Sequence, residues 1–329
     1  MLLTVVLSAV LAAGAVAYMV WMPGESASPD LPAPSSEVKE VAELLEQHVY
    51  VLAEKIGPRS VHRSEALSDA AEYIERMFAS YGYSPIRQPV PMPQGRPEVV
   101  NIEARLDASS ASKKAIVIGA HYDSVAPTCP GANDNASGVA AVLTLSKLLA
   151  TASPEISLRF VAFANEEPPY FRTEQMGSHV YARGLKEEGV DVIAMLSLET
   201  MGYFSSAPGS QRYPAPFSYF YPDRGNFIGF VGNLRSAALV RRLIKSFRKH
   251  AAFPSEGVAA PAFIPGIAWS DHSAFWNQGY PAVMVTDTAP FRYPHYHEDS
   301  DTWEKLDYES LARIVLGLQA VSGELAAVP

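Results

Sequence analysis

AIVIGAHYDSVAPTCPGANDNASGVAAVLTLSKLLATASPEISLRFVAFANEE, residues 115–167, decides the fold. Its two ends, AIVIGAH (115–121) and SLRFVAFAN (157–165), are apolar without alternation, as strands covered on both faces must be. Between them ASGVAAVLTLSKLLA (136–150) reads as a helix, so the stretch is a strand–helix–strand unit, which places its strands parallel. The alternation continues downstream. QMGSHVYARGLKEEG reads as a helix, VIAMLSLE (192–199) and NFIGFVG (226–232) as strands, and residues 235–250 as a basic helix. SDHSAFWNQG follows as a helical turn, PAVMVTD (281–287) as a strand and SLARIVLGLQAVSGEL as a closing helix. The spacing predicts an α/β protein, three-layer α/β/α, with a mixed, mainly parallel central sheet.

Upstream, SSEVKEVAELLEQHVYVLAEKIG reads as a helix with Val41, Leu44, Leu45, His48, Val49 and Leu52 on one side, and SEALSDAAEYIERMFASYG from Ser64 as a second. Extended stretches at Ile86–Val90 and Val99–Leu106 form an expected antiparallel pair. Residues 203–224, rich in Tyr, Phe, Pro, Ser and Gly, read as an irregular insertion. The first 22 residues carry no charged side chain and give an apolar run long enough for a bilayer. No basic start precedes the run, so an uncleaved transmembrane helix at 1–22 is expected, with AVA at 15–17 as the competing cleavage site. Residues 23–36 read as a linker and 37–329 as the domain. Membrane anchoring with the domain on the non-cytoplasmic side, periplasmic or extracellular, is the resulting expectation; cleavage would make the protein secreted.

A formal charge of -9 excludes a nucleic-acid surface, which needs clustered cations. The local exception, RRLIKSFRKH with Arg241, Arg242, Lys245, Arg248 and Lys249, reads as a solvated face over an apolar stripe. The single cysteine, Cys129, excludes internal disulfides and cysteine-rich metal sites. Nothing in the sequence bears on oligomeric state.

Ligands of open α/β sheets gather beyond the carboxyl ends of the strands, and each strand end here delivers an acid or an imidazole. The first runs into HYD, where alternation puts His121 and Asp123 on one side, the carboxylate in reach of the second ring N–H. Taken alone, such a histidine is more often structural. Asp134, in GANDNASG, has the competing reading of a helix N-cap. Glu166 and Glu167 follow a strand apolar on both faces, where adjacent carboxylates need a cation or proton to offset their repulsion. They leave the strand in different directions, so one can bind metal while the other holds water. Glu199 closes the next strand, and His297 lies near the end with His295 as its competitor. Together His121, Asp134 and Glu199 can hold one ion, and Asp134, Glu167 and His297 a second, with Asp134 bridging. Mixed nitrogen and oxygen ligation suits Zn²⁺, with Mn²⁺ and Co²⁺ as the alternatives. Two divalent ions, three carboxylates and a hydroxide would leave the cluster neutral.

The segments GAHYDSV, PGANDNASGVAAVL, FVAFANEE with MGSHVYA, LSLETMGY, SDHSAFW and YHEDSDT resemble the zinc-dependent aminopeptidases of metallopeptidase family 28, which also include glutaminyl cyclases. The resemblance spans roughly residues 100–307. It implies the zinc aminopeptidase/phosphorylase-like fold, a peptide substrate and Zn²⁺, two ions with one as the minimum. It further implies His121, Asp134 and Glu199 as the first metal site, Asp134, Glu167 and His297 as the second, Glu166 as general acid/base and Asp123 as the partner of His121. Two departures stand out. The family usually has Asp where this chain has Glu199, and His-Thr-Pro where Glu298 and Asp299 follow His297. A tyrosine from 203–224 or a later loop is expected at the oxyanion, and Trp269, Phe275 and Trp276 are expected mainly in core packing. The resemblance implies an aminopeptidase; the alternatives are a single-zinc glutaminyl cyclase, a carboxypeptidase or dipeptidase, or an inactive membrane-tethered binding protein.

Overall fold

The computed structural model describes residues 2–109 and 112–327. Eight strands form one sheet: β1 (Ile86–Val90), β2 (Val99–Leu106), β3 (Lys114–His121), β4 (Ser157–Phe163), β5 (Asp191–Glu199), β6 (Ile228–Gly232), β7 (Ser255–Ala259) and β8 (Ala282–Thr286). Their spatial order is β1-β2-β4-β3-β5-β8-β6-β7. Neighbours β4, β3, β5 and β8 are mutually parallel, while β2 runs against β4 and β6 against β8. The sheet is therefore mixed with a parallel centre.

Helices cover both faces. On one side α2 (Ser36–Tyr50), α3 (Ser64–Ser80), α4 (Gly138–Leu149), α6 (Ala237–His250) and α8 (Tyr308–Ala326) share a core with Ile116, Ile118 and Ala120 of β3. On the other, α5 (Gly177–Glu187) and α7 (His272–Asn277) pack through Tyr181 and Phe275 on Val117 of the same strand, with Val161 and Met195. Successive β3 side chains thus enter different cores, which is why AIVIGAH shows no polar alternation.

Two expectations need correction, and a third feature has no counterpart in the sequence reading. The apolar lead does form a helix, α1 (Leu2–Val20), but among the described residues no helix is long and apolar enough to cross a membrane. The expected transmembrane helix is not supported. A span presents apolar surface to lipid along its length, whereas here Met19 and Val20 pack on the cluster of Phe217, Val231 and Ile267, and Arg241 donates to the Tyr18 carbonyl. The following segment is also docked: Ser255 N–H donates to Ser26 Oγ at 2.8 Å, and Arg313 to the Pro32 carbonyl at 2.6 Å. Second, the basic face of α6 is not uniformly solvated, since the Arg248 side chain is buried and donates to the Ser255 and Gly24 carbonyls. Third, SEGVA (255–259), unassigned from sequence, is the edge strand β7.

Candidate metal centre

Crossover helices leave β3 and β4 on opposite faces of the sheet, so the loops at their carboxyl ends diverge and open a crevice. His121 is the last residue of β3 and Glu199 the last of β5. Glu166 and Glu167 follow β4, Asp134 lies in the loop entering α4, and His297 in the loop after β8. Chain segments distant in sequence thus converge on one rim.

The carboxylate of Asp134 lies between two imidazoles. Its Oδ1 is 3.2 Å from His121 Nε2 and its Oδ2 is 3.0 Å from His297 Nε2. Glu199 Oε2 is 3.3 Å from His121 Nε2, and Glu167 Oε1 is 3.5 Å from His297 Nε2. Two ligand groups result, His121–Asp134–Glu199 and Asp134–Glu167–His297. A tetrahedral ion with bonds of about 2.0–2.1 Å has ligand atoms about 3.3 Å apart, so these spacings suit zinc. Glu166 stands further off, its Oε2 4.0 Å from His121 Nε2. His295, the competitor of His297, instead turns to Ser300 Oγ at 2.8 Å.

Asp123 is placed differently from its expected role. The His121 Nδ1 hydrogen-bonds the Asp123 carbonyl at 3.1 Å, while the carboxylate is 3.6 Å from that nitrogen. That carboxylate accepts the backbone N–H groups of Glu166 and Glu167, one on each oxygen, both at 3.0 Å. Asp123 therefore aims the two glutamates through its carboxylate and the histidine through its carbonyl. Sequence reading missed two further supports. Asp301 accepts the N–H groups of Asn133 and Asp134 at 2.9 and 3.1 Å, and Ser270 Oγ donates to Glu199 Oε2 at 2.6 Å. Ser270 was legible only as the first letter of SDHSAFW, and Asp301 as one of several acids after His297. Arg59, fully buried, clamps the approach from outside, donating to the Leu52, Gly57, Tyr122, Pro130 and Gly131 carbonyls. Gly138 lets α4 start against β5: a Cβ there would lie 2.3 Å from the Leu198 carbonyl oxygen.

Electrostatics favour a cation. Burial holds Glu166 and Glu167 well above the usual carboxyl range, with Glu199 adding to the first and Asp134 to the second. Burial also raises Glu199. Asp134 is the exception, because the imidazoles of His121 and His297 outweigh its burial and hold it low. Among the described residues, no group donates a hydrogen bond to buried Asp134 Oδ1 or Glu167 Oε1. Orphaned buried carboxylate oxygens are costly unless an ion meets them, and these two are ligand atoms of the groups above. The residues present therefore fit a bound metal.

Beside the cluster opens a pocket with largely apolar walls, including Phe217, Tyr221, Ile267 and Trp269. Phe275 is core, as expected from the sequence, whereas Trp269 is half exposed at this pocket. Tyr296 stands between pocket and cluster, its ring stacked on His297 at 3.9 Å. Burial and the surrounding Asp134, Glu167, Glu199 and Glu166 raise its hydroxyl pKa strongly, so it keeps its proton.

The model of the peptidase family M28 matches residues 101–321, all ligand-bearing strands included. The chain belongs to peptidase family M28. It is 41% identical over 293 residues to the uncharacterized protein YfbL of Escherichia coli, covering 87% of this chain and 88% of that protein. It is 28% identical over 239 residues to a probable leucine aminopeptidase of Trichophyton verrucosum, covering 68% of this chain and 57% of that protein. The M28 chain thus spans little more than half the length of that relative. Among solved structures, LapB from Legionella pneumophila has a TM-score of 0.69 at 20% identity, covering 92% of this chain and 78% of its own. A zinc aminopeptidase from Bacillus subtilis has 0.68 at 16%, covering 88% and 95%. A glutaminyl cyclase from Bacteroides thetaiotaomicron has 0.64 at 16%, covering 89% and 98%. These likenesses bear on fold.

Proposed function

We propose that this M28 protein is a zinc-dependent aminopeptidase that removes N-terminal residues from peptides, with two ions held by His121, Asp134, Glu167, Glu199 and His297. The carrying observation is the Asp134 carboxylate, shared between His121 at 3.2 Å and His297 at 3.0 Å, with one further glutamate beside each. When bound, the ions would acidify water held at the site and polarise the scissile carbonyl. Glu166 is the group left outside both ligand sets, and burial raises its carboxyl pKa, which favours a proton-carrying role. It accepts the proton of the attacking water and returns it to the leaving amine. Tyr296, protonated and facing the same carboxylates, donates to the developing oxyanion. Asp123 keeps the aim of both glutamates through their backbone amides.

Zinc per chain, measured alongside turnover of aminoacyl and N-blocked peptides and ammonia release from a glutaminyl peptide, tests this reading. About two ions per chain with cleavage of free-amine substrates alone is the expected result. One ion with ammonia release would identify a glutaminyl cyclase, and cleavage of blocked peptides from the carboxyl end a carboxypeptidase. Metal binding without turnover would leave a binding protein. Export of the domain belongs to the same proposal, on the strength of the charge-free residues 1–22; protection from protease added to spheroplasts, whose outer envelope is opened and inner membrane intact, would overturn it.

A further inference from the structure

The pocket beside the metal cluster runs across the sheet in a straight row. Glu199 of β5 is in register with Thr286 of β8, Thr286 with Gly229 of β6, and Gly229 with Glu256 of β7. Residues in register share a sheet face, and all four line the same pocket. Gly229 has no side chain, so the floor is open between the ends of the row. Three strand spacings separate the Cα atoms of Glu199 and Glu256 by about 14 Å. At one end stand the metal ligands. At the other, Glu256 lines walls that are otherwise largely aromatic and aliphatic.

The Glu256 carboxylate is only partly satisfied. Its charged neighbour is Arg248, at 3.9 Å, beyond hydrogen-bond distance. Arg248 directs its donors to Ser255, Pro23 and Gly24 instead. Among the described residues no group donates a hydrogen bond to the Glu256 side chain. A wholly apolar ligand filling the pocket would strip water from this carboxylate and return nothing. An arginine or lysine side chain extends roughly 6–7 Å from its Cα by standard bond lengths. Its stem would lie along Ile267, Phe217 and Tyr221, and its charged head would meet Glu256. The remaining span is taken up by the Glu256 side chain and by the substrate backbone over the cluster.

We infer that this pocket selects a basic N-terminal residue, arginine or lysine, with Glu256 as the specificity-determining group; this rests on the aminopeptidase reading for where the substrate backbone lies. The test uses the zinc-loaded full chain with arginyl, lysyl, leucyl and citrullyl 4-nitroanilides, and calorimetric binding of argininamide against citrulline amide. Arginine and citrulline share shape and differ in charge. Wild-type kcat/KM is expected to favour arginine over citrulline by about 10–100-fold, the worth of one charge-assisted hydrogen bond. Glu256→Gln should remove most of that preference, with arginine losing far more than leucine or citrulline. Equal treatment of arginine and citrulline by the wild type, a result that needs no variant to fold, overturns the inference. So does an equal loss on leucine in Glu256→Gln. If leucine is cleaved without any charge preference, the pocket assignment falls and the peptidase reading stands. If argininamide binds in a Glu256-dependent way and nothing is cleaved, the reverse holds.

Discussion

Glu166 and Glu167 are identical side chains given different work by direction alone. Asp123 holds both backbone amides at 3.0 Å, yet Glu167 Oε1 ends 3.5 Å from His297 Nε2 while Glu166 belongs to neither ligand group. Glu166→Gln is therefore expected to retain its metal and lose about 10²–10⁴-fold in turnover, and Glu167→Gln to lose metal as well. Metal per chain and kcat, measured on the same samples, check this; near-normal turnover in Glu166→Gln would dismiss it as the proton carrier. Glu199, where the family usually has the shorter aspartate, has its carboxylate tied by Ser270 at 2.6 Å. Ser270→Ala should weaken metal binding about 10–100-fold, read by competition with a chelator. His121, Glu167 and Glu199 were legible because each is a charged or imidazole side chain at the end of an apolar run, and Asp134 and His297 because each stands in a loop beside such a run's partners. Ser270 and Asp301 were not, because a serine or aspartate acting across the fold leaves no periodic trace along the chain. Nor could adjacency show that Asp123 turns its carboxylate to the next strand's loop, with its carbonyl facing His121.

Elements were read where their apolar pattern is long. β3, β4 and β5 feed two cores and carry uninterrupted hydrophobic runs, so their positions followed from sequence. β7 was missed because SEGVA is short, polar at Glu256 and interrupted by Gly257; its strand state comes from pairing with β6. Helix α2 holds a hidden polar contact, His48 bonded to Tyr73 at 2.7 Å and Tyr81 at 3.0 Å. Burial, with Lys147 adding, lowers the His48 pKa from 6.5 to about 4. Folded His48 thus resists a proton that the unfolded chain accepts below its ordinary pKa. The stabilisation is full above pH 6.5, and about 3 kcal/mol is lost as pH falls to about 4. Urea midpoints across that window should drop less steeply in His48→Gln than in the wild type; parallel profiles would exclude this histidine as the cause. At the start of α4, Gly138→Ala would force a Cβ to 2.3 Å from the Leu198 carbonyl oxygen. A loss of about 1–3 kcal/mol, together with weaker metal binding through the displaced Asp134 loop, is the expected outcome in denaturation and metal titration.

For the molecule as a whole, a metal held at the candidate centre would join loops that the sheet alone leaves as carriers of buried, mutually repelling carboxylates. A ligand that binds only the folded state adds about 2.7 kcal/mol at a hundredfold excess over its Kd. Zinc should accordingly raise Tm and a chelator lower it, with the shift absent in Asp134→Asn, which removes the shared carboxylate. A chelator-insensitive Tm in zinc-loaded wild type would mean that the centre contributes nothing to folding. The three-layer plan was legible from alternation, but the docking of residues 18–32 on the sheet edge was not, since an apolar run looks alike whether it meets lipid or protein. The convergence of ligands from 121 to 297 also has a temporal side. During synthesis His121, Asp134, Glu167 and Glu199 leave the ribosome well before His297. A nascent chain therefore completes the group His121–Asp134–Glu199 before the group Asp134–Glu167–His297, which waits for residues 200–297 to be made.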